Sequence, residues 1–291
     1  MAQEWQLAVE AGDLIGEGPA WDARRASLLW TDIAGRRIHR LDPESGEVWT
    51  RTLPQMAGAV LPRAAGGLVL CLQDGVYLTD TDDDEPRLLV PVESDEPSTR
   101  LNDVKTDRAG RLWGGTMALD AAADAGSFYR IEPDGRIETI SAPVTISNGV
   151  DWSLDGSLMY YIDTSTGRMD VFDFDLQAGS ATDRRPFIHF DESFGIPDGM
   201  TVDAEGGLWV AFYDGWAVRR FRPDGRLDRT IELPAARTTS CAFGGMRLDQ
   251  LYVTSGRDGL SASQLSEQPH AGGLFVIQPG VTGLPITPFA G

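Results

Sequence analysis

The chain has 291 residues, 42% hydrophobic and 24% charged, the composition of a soluble globular protein long enough to bury a sizeable core. Its 25 Lys and Arg stand against 44 Asp and Glu, and the resulting net charge of −19 excludes the basic footprint of a nucleic-acid binder; neutral or cationic partners are expected. No run of about 18 apolar residues exists to span a membrane, and two cysteines, Cys71 and Cys241, without CxxC spacing, supply neither a disulfide scaffold nor a redox motif and should be buried.

Met1-Ala2-Gln3-Glu4-Trp5 has neither a basic segment nor an apolar h-region, so no secretory signal is expected and the chain is assigned to the cytoplasm. Trp5-Gln6-Leu7-Ala8-Val9 is extended in character. Gly16-Glu17-Gly18-Pro19 follows, a short turn that offers a carboxylate. Ser27–Asp32 is the first of about six apolar runs that recur every 40 to 50 residues, the others being Gly67–Cys71, Arg111–Gly115, Ser157–Asp163, Gly207–Ala211 and Gln250–Thr254. Most of these runs follow a tight-turn signal such as Asp155-Gly156, and several lead into a second strand candidate that ends in a D-P or P-D-G turn, as in Arg37–Gly46, Phe128–Gly135 and Val218–Gly225. His39 alternates within one of these strands and is expected at the surface. The acidic run Asp80–Glu85 reads as a solvated loop, since the Gly and closing Glu of an EF-hand are missing.

Farther along, Arg100 and Asn102 lie two apart in an extended segment, so both project to one side and are positioned to donate to hydroxyl or carbonyl oxygens; a surface salt-bridging element has the same pattern. Asp103 faces the other way, as a brace for its turn. Ala121–Ala125 is too short to stand as a helix. Ile146-Ser147-Asn148-Gly149 and Phe194-Gly195-Ile196-Pro197-Asp198-Gly199-Met200 repeat the grammar of the first turn, a potential ligand followed by glycine and then by extended chain. Gly273–Ile277 is the last strand candidate.

Short strands in about six copies, with 33 Gly and 17 Pro to turn them, close most naturally into an all-β, six-bladed β-propeller. No linker or composition shift divides residues 1–291, so one domain is expected, and Trp5–Val9 is expected to complete the last blade beside Gly273–Ile277.

No G-x-S-x-G elbow, H-E-x-x-H, P-loop or strand-associated G-x-G-x-x-G is present, and the three histidines, His39, His189 and His270, accompany no nucleophile motif. Chemistry must then come from carboxylates or a metal. Taken singly, Asn-Gly and Asp-Gly are ordinary turn formers. Their joint occurrence with Glu17, and with Pro19 and Pro197 beside two of the three, points to Glu17, Asn148 and Asp198 converging on one divalent cation at one mouth of the central channel. Two carboxylates and an amide oxygen suit Ca²⁺, Mg²⁺ or Mn²⁺, with Zn²⁺ and Fe(II) also possible ligand partners, and three protein ligands leave room for water and substrate.

The strings Gly16-Glu17-Gly18-Pro19, Arg100-x-Asn102-Asp103, Gly115-Thr116-Met117, Ile146–Ser153, Tyr161-Ile162-Asp163, Ile196–Met200, Thr238–Gly245 and Ala271-Gly272-Gly273 together resemble the regucalcin/gluconolactonase family, the senescence-marker-protein type of six-bladed propeller. The resemblance covers almost the whole chain in order. It implies that Glu17, Asn148 and Asp198 match the metal ligands, with Asp198 also the candidate general base, and that Arg100 and Asn102 match substrate-contacting positions. Asp120, expected as a further substrate contact, stands where animal relatives carry a glutamate after Gly-Thr-Met, in a shorter loop. The implied reaction is metal-dependent hydrolysis of a sugar lactone, such as a glucono-, xylono-, arabino- or galactonolactone, to the aldonic acid, with water activated by the metal or by Asp198. A phosphotriesterase or arylesterase, or a calcium-binding propeller with a structural cation, are the other readings. A small-molecule partner and a monomer or weak dimer are expected.

Overall fold

The computed structural model describes residues 5–291; Met1–Glu4, read above against a secretory signal, lie outside them. Among the described residues 24 strands form six antiparallel sheets of four, arranged as the blades of a six-bladed β-propeller. The recurrent apolar runs are the second strands of the blades: Ser27–Asp32, Leu68–Leu72, Leu112–Ala118, Leu158–Asp163, Leu208–Tyr213 and Gln250–Gly256. They are buried almost throughout because a blade is covered on both faces by its neighbours. The hairpin partners read from the sequence are the third strands, among them Arg37–Leu41, Gly126–Ile131 and Ala217–Phe221.

The first strand of each blade lines the axis: Gly16–Asp22, Ala57–Pro62, Thr99–Thr106, Ser147–Trp152, Ile196–Val202 and Arg237–Gly244. Each touches the first strands of the two adjoining blades, which closes the ring. Glu17, Asn148 and Asp198 therefore stand within strands, where the sequence suggested turns. Gly149 and Gly199 keep a negative or extended φ; their role is close approach, since a Cβ on Gly199 would lie 2.1 Å from Ser240 Oγ. In every first strand the pairing with the second strand slips by one residue, between Glu17 and Ala20, Ser147 and Val150, and Pro197 and Met200 in the three that carry candidate ligands. Such a bulge re-aims a side chain, here toward the axis.

The ring is sealed between its two ends: Trp5–Val9 pairs antiparallel with Leu274–Ile277, Trp5 opposite Ile277 and Leu7 opposite Phe275, as expected. The turns between second and third strands lie on the same face as the starts of the first strands. On the opposite face the segment 283–289 crosses the channel, bridging Asp203 through Gly283 and Arg63 through Phe289, while Thr106 Oγ1 donates to Thr287 O. One mouth of the channel is thus covered by the chain itself.

Three expectations need correction. His39 is buried, stacked on Trp30 at 4.8 Å with its Nδ1 2.8 Å from Thr50 Oγ1, because alternate residues of a third strand face the next blade and not solvent. Within the acidic run, Asp82 is also buried, its carboxylate taking Arg40 Nε at 2.9 Å and Arg25 Nη1 at 2.7 Å. A short helix, Ala262–Glu267, went unread although Ser261 and Gln264 form a capping box. The two cysteines are free and buried, as expected. Among the described residues no helix is long and apolar enough to cross a membrane.

Candidate active site at the open mouth of the channel

At the uncovered mouth, Glu17, Arg100, Asn102, Asn148 and Asp198 line one cavity of about 300 Å³. They come from the first strands of four different blades, and all five are buried. Asp120 is not among them: it is exposed on the loop after the third blade's second strand, and its Oδ1 accepts from Ala122 N at 3.1 Å, so that Ala121 lines the cavity instead.

The polar floor is tightly wired. Arg100 Nη1 donates to Asn102 Oδ1 at 2.6 Å and to Leu101 O at 3.1 Å, and Arg100 Nη2 reaches Met117 Sδ at 3.1 Å. Asn102 Nδ2 donates to Ser147 O at 2.7 Å and to Asn148 Oδ1 at 2.8 Å. Asn148 Nδ2 donates to Thr164 Oγ1 at 2.7 Å, and Thr164 in turn donates to Pro197 O at 2.9 Å. These contacts fix the orientation of both amides, and they consume both N–H groups of Asn102. Asn102 is thus left to meet a substrate as an acceptor, whereas the sequence suggested a donor. Its clearer task is to hold Arg100 on one side and Asn148 on the other.

The carboxyl groups of Glu17 and Asp198 lie within hydrogen-bonding reach of each other. Burial, then repulsion from Asp103, pushes Glu17 up to about 8, although Gly18 N donates to its Oε2 at 2.7 Å. Burial and the neighbouring Glu17 raise Asp198 well above the usual carboxylate range. Arg100 is lowered by burial to about 10 and, among the described residues, is the cation acting on this pair. Below them Asp103 is buried in the channel and raised by the same cause, with Lys105 opposing the shift. Lys105 Nζ itself donates to Asp151 Oδ2 at 2.8 Å and to Met200 O at 2.9 Å. Asp103 thus lies inside the channel beside Lys105, a place its sequence position did not signal.

Among the described residues no group of three or more His, Cys, Asp or Glu has metal-holding geometry. The donor set at the mouth is of another kind, two carboxylates and the Oδ1 of Asn148, all hard oxygens. Two acids buried together with raised pKa values are short of positive charge, which a divalent cation would supply. The residues fit such an ion.

The walls, unlike the floor, are apolar: Ile15, Ile33, Met117, Ile146 and Ile196 surround the opening. The sequence reading did not single them out as lining residues, although the spacing Ile15-x-Glu17, Ile146-x-Asn148, Ile196-x-Asp198 was visible. Tyr213 and Thr239 complete the lining, and their positions at a strand end and in the sixth blade carried no signal of that use.

Comparison with known proteins agrees with this architecture. A family model described as the SMP-30/Gluconolactonase/LRE-like region matches residues 15–257. Regucalcin from the rabbit Oryctolagus cuniculus is 40% identical over 283 residues, 95% of each chain. A Bacillus subtilis relative with the provisional name sugar lactone lactonase YvrE is 37% identical over 286 residues, 98% of each chain. The crystal structure of a calcium-binding protein, regucalcin, from Agrobacterium tumefaciens superposes with a TM-score of 0.95 at 31% identity, covering 99% of both chains.

Proposed function

The chain belongs to the SMP-30/gluconolactonase/LRE-like family, and from that premise we propose that it is a metal-dependent lactonase that opens a sugar lactone to the aldonic acid. The observation that carries this reading is the pair of buried carboxylates, Glu17 and Asp198, gathered with Asn148 and Arg100 under a cavity large enough for a small ring.

Glu17, Asn148 and Asp198 would hold the divalent cation, which when bound supplies Lewis acidity toward the lactone carbonyl and offsets the charge of the two acids. Arg100, braced by Leu101 O and Asn102 Oδ1, keeps its Nε hydrogen and one Nη2 hydrogen for a substrate oxygen. Asp198 is suited to accept, at a carboxylate oxygen, the proton that the attacking water gives up. As the new C–O bond forms and the ring C–O bond breaks, that proton passes to the ring oxygen, and the released acid ionises. The apolar walls keep bulk water from the floor.

The names of the regucalcin relatives favour a second reading, a propeller that binds calcium without chemistry. A dedicated binding site closes its coordination shell, whereas this floor opens onto about 300 Å³ of space, which favours the enzyme. The test is a panel of glucono-, xylono-, arabino- and galactonolactones followed by acid release above the spontaneous rate. Metal-stripped protein would be reconstituted with Ca²⁺, Mn²⁺, Mg²⁺, Zn²⁺ and Fe²⁺ in turn. Turnover should vanish on stripping and return with at least one ion, and Asp198→Ala and Asn148→Ala should each lower kcat/KM at least about a hundredfold with the fold retained. Undiminished turnover in both variants would remove the site from the reaction.

A further inference from the structure

The cavity is divided into a charged floor and an apolar collar, and the division is built into the first strands and the bridged residues just before them. Side chains two apart on a strand share a face. Each of the three candidate ligands is preceded at that spacing by an isoleucine, Ile15 before Glu17, Ile146 before Asn148 and Ile196 before Asp198, and all three isoleucines line the cavity. Ile33 and Met117 extend the collar, Ile33 N being held by Ile15 O at 2.9 Å and Met117 bridging to Ile146.

The polar groups that remain are few. Asn102 has no free N–H. The hydroxyls of Thr164 and Thr239 are spent on Pro197 O and Gly16 O; the Tyr213 oxygen faces Arg237, and its O–H is the one hydroxyl donor left among the described lining residues. Substrate hydroxyls near the carbonyl can meet Arg100 and the floor. At the far end of the ring a methyl group covers apolar surface of the half-exposed isoleucines, whereas a hydroxyl there gains no partner from them.

We infer, on the basis of the lactonase reading above, that this collar selects deoxy lactones: sugar lactones that carry a methyl group at the end remote from the carbonyl, in preference to their hydroxymethyl counterparts. Ile196, on the rim, is the specificity-determining residue most open to test.

The experiment compares kcat/KM for L-fucono-1,4-lactone and L-galactono-1,4-lactone, which share configuration and differ in the terminal CH₃ or CH₂OH, using the metal-loaded full chain. The deoxy lactone should be favoured at least about tenfold. Ile196→Thr should shrink that ratio, chiefly by improving the hydroxymethyl substrate. If both lactones are opened with a ratio below about ten, the selection is overturned while the lactonase reading stands. If neither is opened while another lactone of the panel is, the selection alone falls; if no lactone of the panel is opened with any ion restored, both fall together.

Discussion

Glu17 carries the physical tension of the site in one side chain. Its pKa rises from 4.5 to about 8 because burial and Asp103 outweigh the help of Gly18 N and Arg100. Between those values the folded, cation-free chain holds a proton that the unfolded chain has released. Its stability is therefore full below 4.5 and falls as pH rises toward 8, by at most about 1.4 kcal/mol per pH unit for one proton. Melting temperatures recorded in chelator from pH 5 to 8 should decline across the range, and Glu17→Gln should flatten the decline by removing one titrating group. Added Ca²⁺ should raise the melting temperature most at the upper end, where both acids seek countercharge. An unchanged slope in Glu17→Gln would mean that this carboxyl does not titrate in the window. The residue identities needed for this argument were readable from the chain, because Gly16-Glu17-Gly18-Pro19 and Ile196–Met200 are distinctive strings. The commitment of Asn102 to its neighbours was not, since it depends on Ser147 O and Asn148 Oδ1 arriving from another blade.

The element that positions these groups is the bulged first strand. Second strands such as Leu208–Tyr213 were legible because they are unbroken apolar runs after tight turns. The three first strands that carry Glu17, Asn148 and Asp198 were read as turns because they contain Gly, Pro, Asn and Asp, residues that ordinarily mark turns. Around a crowded axis the same residues do something else: glycine lets neighbouring backbones touch. Gly58, in the second blade's first strand, shows this most clearly, since a Cβ there would stand 2.2 Å from Asn102 O and 2.6 Å from Leu101 O, backbone atoms that cannot swing aside. Gly58→Ala should therefore cost about 1–3 kcal/mol of stability by overpacking. It should also displace the Arg100–Asn102 segment, so that KM for the lactone rises even at temperatures where the variant is fully folded. Wild-type denaturant midpoint and KM in this variant would show that the strands have slack at the axis.

For the molecule as a whole, the site is assembled from blades that lie far apart in sequence, and contact between neighbouring first strands around the axis keeps them in register. Closure of the ring rests on Trp5–Val9 adding the fourth strand to the last blade. Trp5 meets Phe275 edge to face at 5.6 Å, and Leu7 packs on the same cluster as Phe243 and Leu251. Without this strand, Leu274–Ile277 becomes an edge whose backbone groups are free to pair with another chain. The ligands, however, stand on first strands at the axis, in the first, fourth and fifth blades, whereas the seam strand is the outermost of its blade. A chain lacking residues 1–9 should thus melt at least about 5 °C lower, since a loss of one kcal/mol moves a domain of this size by a few degrees. It should also form larger species on size-exclusion chromatography as its concentration rises. At low temperature and high dilution its kcat/KM should stay near that of the full chain, because the floor of the site has not been touched. Equal loss of activity and stability under those conditions would instead make the ring a single cooperative unit, in which the seam and the open mouth of the channel cannot be uncoupled.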